Sequence, residues 1–287
     1  MWRVIYYMIS YLNGKYLERE KISISPDDRG FLFSDGLYEV VRFYNGKPFK
    51  IKEHQLRIEN GAKILRFNRT KFEEFSDVIN TLQFKNNLAN VKSAIAYFQV
   101  TRGSAPRSHS FPSNETPLTT YAFIREFKSN QNEQKSGAKA ITVIDDRWAN
   151  CELKTISLLP NTLAHQKARD NNAIEAIFIR NNTVQEGTHS NIFIFAEGKM
   201  ITPPLSKYIL AGITRETVLD LCDALSIPYS EESISRDDLY NAKEVFIIGT
   251  TVEITPIIQV DDIIIGNKNP GSMCKKLQNA LWKLVQN

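Results

Sequence analysis

The chain has 287 residues, of which 42% are hydrophobic and 24% charged, with a net charge of +4. These proportions are ordinary for a globular protein with a sizeable core, and the length fits two domains or one large α/β unit. The small charge, without a lysine/arginine block, disfavours nucleic acid as a partner. Three scattered cysteines, Cys151, Cys222 and Cys274, argue against a disulfide framework or a zinc site and for a reducing, cytoplasmic compartment.

The start, Met1 to Ser10, has a short apolar run rich in tyrosine and β-branched residues. It runs directly into Leu12-Asn13-Gly14-Lys15, so it reads as a strand and hairpin rather than a signal peptide. No stretch reaches the length of a membrane-spanning helix, and no membrane partner is expected. Leu37 to Ile51 reads as strand, Asn45-Gly46 turn, strand. A helix is expected over 53–65, weakened by Gly61. Thr70 and Glu73 give a capping-box pattern for the next helix, whose Phe72, Phe75, Ile79 and Leu82 share one face. Strands follow over 93–101 and 119–126, separated by a long polar loop, 102–117, stiffened by three prolines.

Residues 128–137 are polar throughout and read as a linker, dividing the chain into an N-terminal domain (1–127) and a C-terminal one (138–287). The second half reads as strands over 140–144, 175–180, 191–196 and 244–248. Helices are expected around 163–168 and over 213–225 and 273–285. The fold class is therefore α/β (α+β), in two domains with mixed and antiparallel sheets.

Two residues stand out chemically. Lys154 lies among Leu153, Ile156, Leu158 and Leu159, a setting that favours the neutral, nucleophilic amine. Taken alone, it is better read as a surface lysine with its ammonium in water. Glu186 closes a strand before Asn191 and, alone, reads as a solvated turn carboxylate. Together a lysine and a glutamate suit pyridoxal phosphate, which needs an amine to form a Schiff base and a carboxylate to keep its ring nitrogen protonated. Gly212-Ile213-Thr214 opens a helix, and Gly249-Thr250-Thr251 ends a strand; either could cradle a phosphate, with Arg57 as a bidentate partner. Each is also ordinary capping chemistry. Arg107 and His109 make a compact cationic pair on the proline-rich loop, suited to a substrate carboxylate or simply solvated. The four histidines, His54, His109, His165 and His189, show no metal-ligand spacing, and no metal is expected.

Four motifs raise these separate readings together: Asp28-Arg29-Gly30-Phe31 through Ser34-Asp35-Gly36-Leu37-Tyr38-Glu39-Val40-Val41, Glu53-His54-x-x-Arg57, Gln99-Val100-Thr101-Arg102-Gly103 through Pro106-Arg107-x-His109-x-Phe111-Pro112, and the Lys154/Glu186 pair. Across essentially the whole chain the sequence resembles the fold-type IV pyridoxal-phosphate aminotransferases, on the side of their D-amino acid branch. The resemblance implies Lys154 as catalytic Schiff-base lysine and Glu186 as partner of the ring nitrogen. It implies Arg57, Ile213, Thr214 and Thr250 at the phosphate and Leu210 against the ring. Tyr38, Arg107 and His109 would trap the substrate carboxylate. It further implies transamination between a D-amino acid and a 2-oxo acid, and a homodimer in which the Arg107/His109 loop serves the neighbouring subunit. Thr188-His189-Ser190 stands where relatives carry a serine run, and Gly249 replaces a possible hydroxyl donor. A branched-chain L-amino acid aminotransferase, an aminodeoxychorismate lyase and a non-catalytic cofactor-binding protein are the competing expectations.

Overall fold

The computed structural model describes residues 8–286, which group into two units. Residues 1–128 and 153–157 form the first, and residues 129–152 and 158–287 the second. The strand reading of the N-terminus is met from Ile9 onward; its first seven residues lie outside the described part.

The first unit is an antiparallel sheet with helices on one face. Its strands are β1 (Ile9–Leu12), β2 (Lys15–Glu18), β3 (Gly36–Tyr44), β4 (Lys47–Pro48), β5 (Ser93–Thr101) and β6 (Thr119–Glu126), in the order β2-β1-β6-β5-β3-β4. Asn13-Gly14 and Asn45-Gly46 both take positive φ at the two turn positions, the conformation that twists a two-residue hairpin correctly. Three helices accompany the sheet: α1 (Arg29–Phe33), α2 (Ile51–Ile64) and α3 (Phe75–Lys85). Phe43, Phe72, Phe75 and Phe98 are fully buried between sheet and helices. Each contributes roughly 1.5–3 kcal/mol by leaving water.

Gly61 lies inside α2 for a packing reason. A Cβ there would come within 3.1 Å of both Leu37 methyls, so the glycine lets α2 settle on β3. The Thr70/Glu73 capping box does not form. The Phe72 amide bonds Glu59 Oε1 at 3.0 Å, and α3 starts only at Phe75, after a Phe75-to-Phe72 turn. Phe72 is held by α2 instead, and the helix N-cap falls at Glu74, four residues beyond Thr70.

The second unit is built on a mixed sheet. Its strands are β7 (Ala138–Ile144), β8 (Glu175–Arg180), β9 (Thr183–Gly187), β10 (Asn191–Ala196), β11 (Lys199–Thr202), β12 (Tyr229–Glu231), β13 (Glu244–Gly249), β14 (Glu253–Val260) and β15 (Ile263–Ile264). The order is β12-β11-β10-β13-β14-β7-β8-β9, with β15 on β14; β7 runs parallel to both neighbours. The helices are α4 (Gln131–Ser136), α5 (Leu159–Asp170), α6 (Ile213–Ala224), α7 (Arg236–Asn241) and α8 (Ser272–Gln286). The segment expected as an irregular linker thus contains α4. A capping box does form at α7, where Ser235 and Asp238 bond each other's amides reciprocally. Among the described residues no helix is long and apolar enough to cross a membrane.

Candidate active site

In the first unit, the site residues gather where β3 begins. Residues 153–157 return to this sheet: Leu37 bridges Thr155, the Tyr38 amide donates to the Lys154 carbonyl (3.0 Å), and the Ile156 amide to Gly36 (3.1 Å). The lysine is therefore fixed to β3, although the sequence reading assigned its segment to the C-terminal half. Its Nζ lies 4.4 Å from the centroid of the Tyr38 ring, which stacks in turn on Tyr97. A ring face at that distance attracts an ammonium and gives the half-buried amine a defined seat. The apolar run beyond it is no enclosing pocket, since Leu159 is 69% exposed.

Successive residues of a strand face opposite ways, so Tyr38 and Glu39 serve different surfaces. Glu39 is fully buried under α2, where Arg57 donates from Nε and Nη2 at 2.7 and 2.8 Å, and His54 Nδ1 lies 2.7 Å away. Burial alone would raise this carboxyl, but the Arg57 and His54 charges overcome it and hold it at about 2. For His54 burial wins over the pull of Glu39, and its pKa is lowered. Arg57 is thus aimed by a buried carboxylate through a bidentate fork, the geometry that fixes a guanidinium best. Glu39 and His54 stood inside quoted motifs, yet no local pattern singled them out.

The Arg107/His109 loop lies in the same unit. Both side chains are exposed and close on Phe33: the Arg107 guanidinium is 5.0 Å from its centroid, and the rings of His109 and Phe33 are 5.5 Å apart. Arg29 ties the loop down through the Ser108 and Ser110 carbonyls, at 2.7 and 3.3 Å. Residues 102–118 contain no helix or strand, as the proline content predicted.

In the second unit, Glu186 is buried at the end of β9. Its Oε1 accepts from Arg147 Nη1 (2.6 Å), and Oε2 from the Leu210 amide (2.9 Å) and, weakly, Asn191 Nδ2 (3.5 Å). Arg147 is itself buried, gripping Asp145 through Nε and Nη2 (2.9 and 3.2 Å) and lying 4.1 Å from the Phe178 centroid. Burial opposes its charge, but the Asp145 hydrogen bonds and the Glu186 charge outweigh that and raise its pKa. Glu186 is therefore no solvated turn residue. Sequence reading missed Asp145 and Arg147, which look like loop charges until β7 and β9 bring them together.

Leu210 contributes its amide to Glu186 and its carbonyl to Asn191 Nδ2 (2.9 Å). Ile213 and Thr214 open α6 and are buried; the N-cap, Gly212, offers no side-chain cap, so the first-turn amides have no intrahelical partner. A Cβ at Gly212 would meet Asn191 Oδ1 at 2.0 Å, which demands glycine where the chain enters the helix. Thr250 follows β13, against which α6 packs, and is half-buried. An uncapped helix start beside hydroxyls suits a phosphate dianion, and a buried carboxylate that accepts only at fixed oxygens suits a protonated ring nitrogen. Taken unit by unit, the donor types pyridoxal phosphate needs are present: a half-buried amine in the first, and a buried carboxylate and an uncapped helix start in the second.

The amino-transferase class IV family profile matches residues 36–260, most of the chain. The chain belongs to the class IV aminotransferases. It is accordingly a pyridoxal-phosphate-dependent transaminase of the fold-type IV architecture. It is 39% identical to the D-alanine aminotransferase of Bacillus licheniformis over 95% of each chain, and 36% identical to that of Staphylococcus haemolyticus over 96% and 97%. Among solved structures it is similar to a branched-chain amino acid aminotransferase from Escherichia coli (TM-score 0.88, 26% identity, 97% and 94% covered). It is also similar to that of Thermoproteus uzoniensis (TM-score 0.85, 28% identity, 97% and 94% covered).

Proposed function

We propose that this aminotransferase exchanges the amino group between a D-amino acid of the alanine or glutamate type and a 2-oxo acid, by a ping-pong sequence. The observation that carries the reading is the higher identity to the D-alanine aminotransferases than to the branched-chain enzymes, supported by the Arg107/His109 loop. When bound, pyridoxal phosphate supplies the carbonyl that condenses with the substrate amine and the ring that draws electrons from its α-carbon. Lys154 holds the resting cofactor, then takes the proton from the substrate α-carbon and returns it on the cofactor side of the amine. Its seat over Tyr38 keeps that amine within a small volume, which is where orientation lowers the barrier.

Glu186, backed by Arg147, keeps the ring nitrogen protonated. The resemblance assigns the phosphate to Arg57, aimed by Glu39, and to the α6 amides at Ile213 and Thr214 and the Thr250 hydroxyl. Leu210 packs against the ring. Arg107, His109 and Tyr38 bind the substrate carboxylate, and by fixing it on one side present only the D-enantiomer's α-hydrogen to Lys154. The exposure of Arg107 and His109 supports a homodimer in which this loop serves the partner, and three free cysteines support a reducing, cytoplasmic setting.

A half-reaction panel tests the proposal. Holoenzyme is mixed with D- and L-alanine, D- and L-glutamate and L-leucine, and bleaching of the yellow cofactor band is followed. Bleaching by the D-enantiomers but not their mirror images is expected. Faster bleaching by L-leucine would reassign the enzyme to the branched-chain group, and pyruvate release without an amino acceptor would mark a lyase.

A further inference from the structure

The histidine spacing gave no hint of a metal site, yet the fold of the second unit brings two histidines onto one carboxylate. His165 comes from α5, Glu175 from the first position of β8, and His189 from the turn between β9 and β10. One imidazole nitrogen of each histidine and one Glu175 oxygen all lie within 4.8 Å of one another. The rings meet edge to face with centroids 5.3 Å apart, and His189 Nδ1 is 3.3 Å from Glu175 Oε2.

Two features distinguish this group from a chance cluster. Glu175 is fully buried, and among the described residues no lysine or arginine forms an ion pair with it; the nearest basic group is the His189 imidazole. A buried carboxylate without a cation is costly, so the site has a standing demand for positive charge. The carboxylate is also already oriented. Oε1 accepts from the Ala176 and Thr188 amides (both 2.9 Å) and from the Thr188 hydroxyl, while Oε2 accepts from Ser190 Oγ at 2.7 Å. Gly187 makes room for this, since a Cβ there would meet Ser190 Oγ at 2.2 Å and Glu175 Oε2 at 2.7 Å. The Thr188 hydroxyl, whose proton goes to Glu175, lies 3.3 Å from His165 Nδ1 and 3.0 Å from His189 Nδ1, at the meeting point of the three side chains. Outer partners that fix a carboxylate are what a metal site needs around its ligands.

We propose that His165, Glu175 and His189 bind a divalent transition-metal ion of the zinc type, with water or an anion completing the shell. Ligand bonds of about 2.0–2.2 Å require ligand atoms about 3.4 Å apart, so the rings must close by up to about 1.4 Å. His189, 40% exposed at its side chain, has the freedom to do so. Imidazole and carboxylate together select zinc, cobalt, nickel or copper over magnesium and calcium. An ion there ties α5 to the turn that follows Glu186.

The test uses tag-free holoenzyme, stripped of metal by chelator and dialysis. Zn2+ is titrated calorimetrically and Co2+ by its visible absorption, with thermal midpoints recorded for every variant. One ion per chain is expected, with a Co2+ spectrum of low coordination number and a raised midpoint. H165Q and H189Q should each weaken binding by more than about 100-fold, and T188V by about 10-fold. Mg2+ should not compete. No saturable Zn2+ binding, or unchanged affinity in the H165Q/H189Q double variant, would overturn the proposal. Should H189Q fail to fold, H165Q alone decides, because His165 is only one ligand of three and lies on a solvent-facing helix.

Discussion

The two units solve the same problem with the roles of the groups exchanged. In the first, the fully buried carboxylate of Glu39 is the anchor and Arg57, at the edge of burial, is the group it aims. In the second, the buried guanidinium of Arg147 is the anchor and Glu186 is the group it aims. An arginine presented this way suits a phosphate, and a carboxylate presented this way suits a ring nitrogen. In each case the more exposed group is held by an oppositely charged partner deeper in the protein. Anchor and presented group therefore fail differently when removed, which gives the comparison its tests.

The largest effect belongs to neither pair. Lys154→Ala should lower steady-state turnover by about 10⁴-fold or more, measured over many turnovers, because it removes the nucleophile and the proton carrier together. Wild-type turnover in that variant would end the assignment. Next comes the second anchor. Arg147→Met leaves Asp145 and Glu186 buried without their shared cation, and chemical denaturation should show a loss of about 3–5 kcal/mol.

Glu39→Gln should cost less at neutral pH, roughly 3 kcal/mol, with a distinctive pH dependence. The folded pKa of about 2 lies below the usual 4.5, so Glu39 contributes its full stabilisation above pH 4.5. That contribution is lost as pH falls through about 2. The stability gap between wild type and E39Q should therefore narrow across that window; a constant gap would show that the carboxylate acts by shape alone. The smallest effect is expected at Arg180→Met. Arg180 reaches Asp145 at 3.3 Å from a position 24% exposed, so about 1 kcal/mol is expected from the same denaturation assay.

Much of this was legible in the sequence. The hairpins came from Asn-Gly pairs, α3 from the spacing of its apolar residues, and the class IV family from the motifs around Lys154 and Glu186. The anchors were not legible, because Asp145 and Arg147 sit in a short polar run whose meaning depends on Glu186 arriving from another strand. Capping chemistry shows the same limit. Thr70/Glu73 and Ser235/Asp238 carry comparable local signals, and only the second forms a box, because α3 begins at Phe75 with Glu74 as its N-cap, leaving Thr70 outside the helix. Gly61 was read as a helix weakness when it is a point of close packing. Local pattern fixes turns and faces; which donor meets which acceptor is decided by partners distant in the chain.

The strap formed by residues 153–157 on β3 has a consequence for assembly of the molecule. Leu37 and Thr155 are joined late, since β3 and its helices leave the ribosome long before the lysine is synthesised, and closing so long a loop is entropically slow. All six strands of the first sheet come from residues 9–126, so its pairing partners are synthesised before the strap that carries Lys154. The strap is in this way the last piece of the first unit to be made, after every strand it packs on.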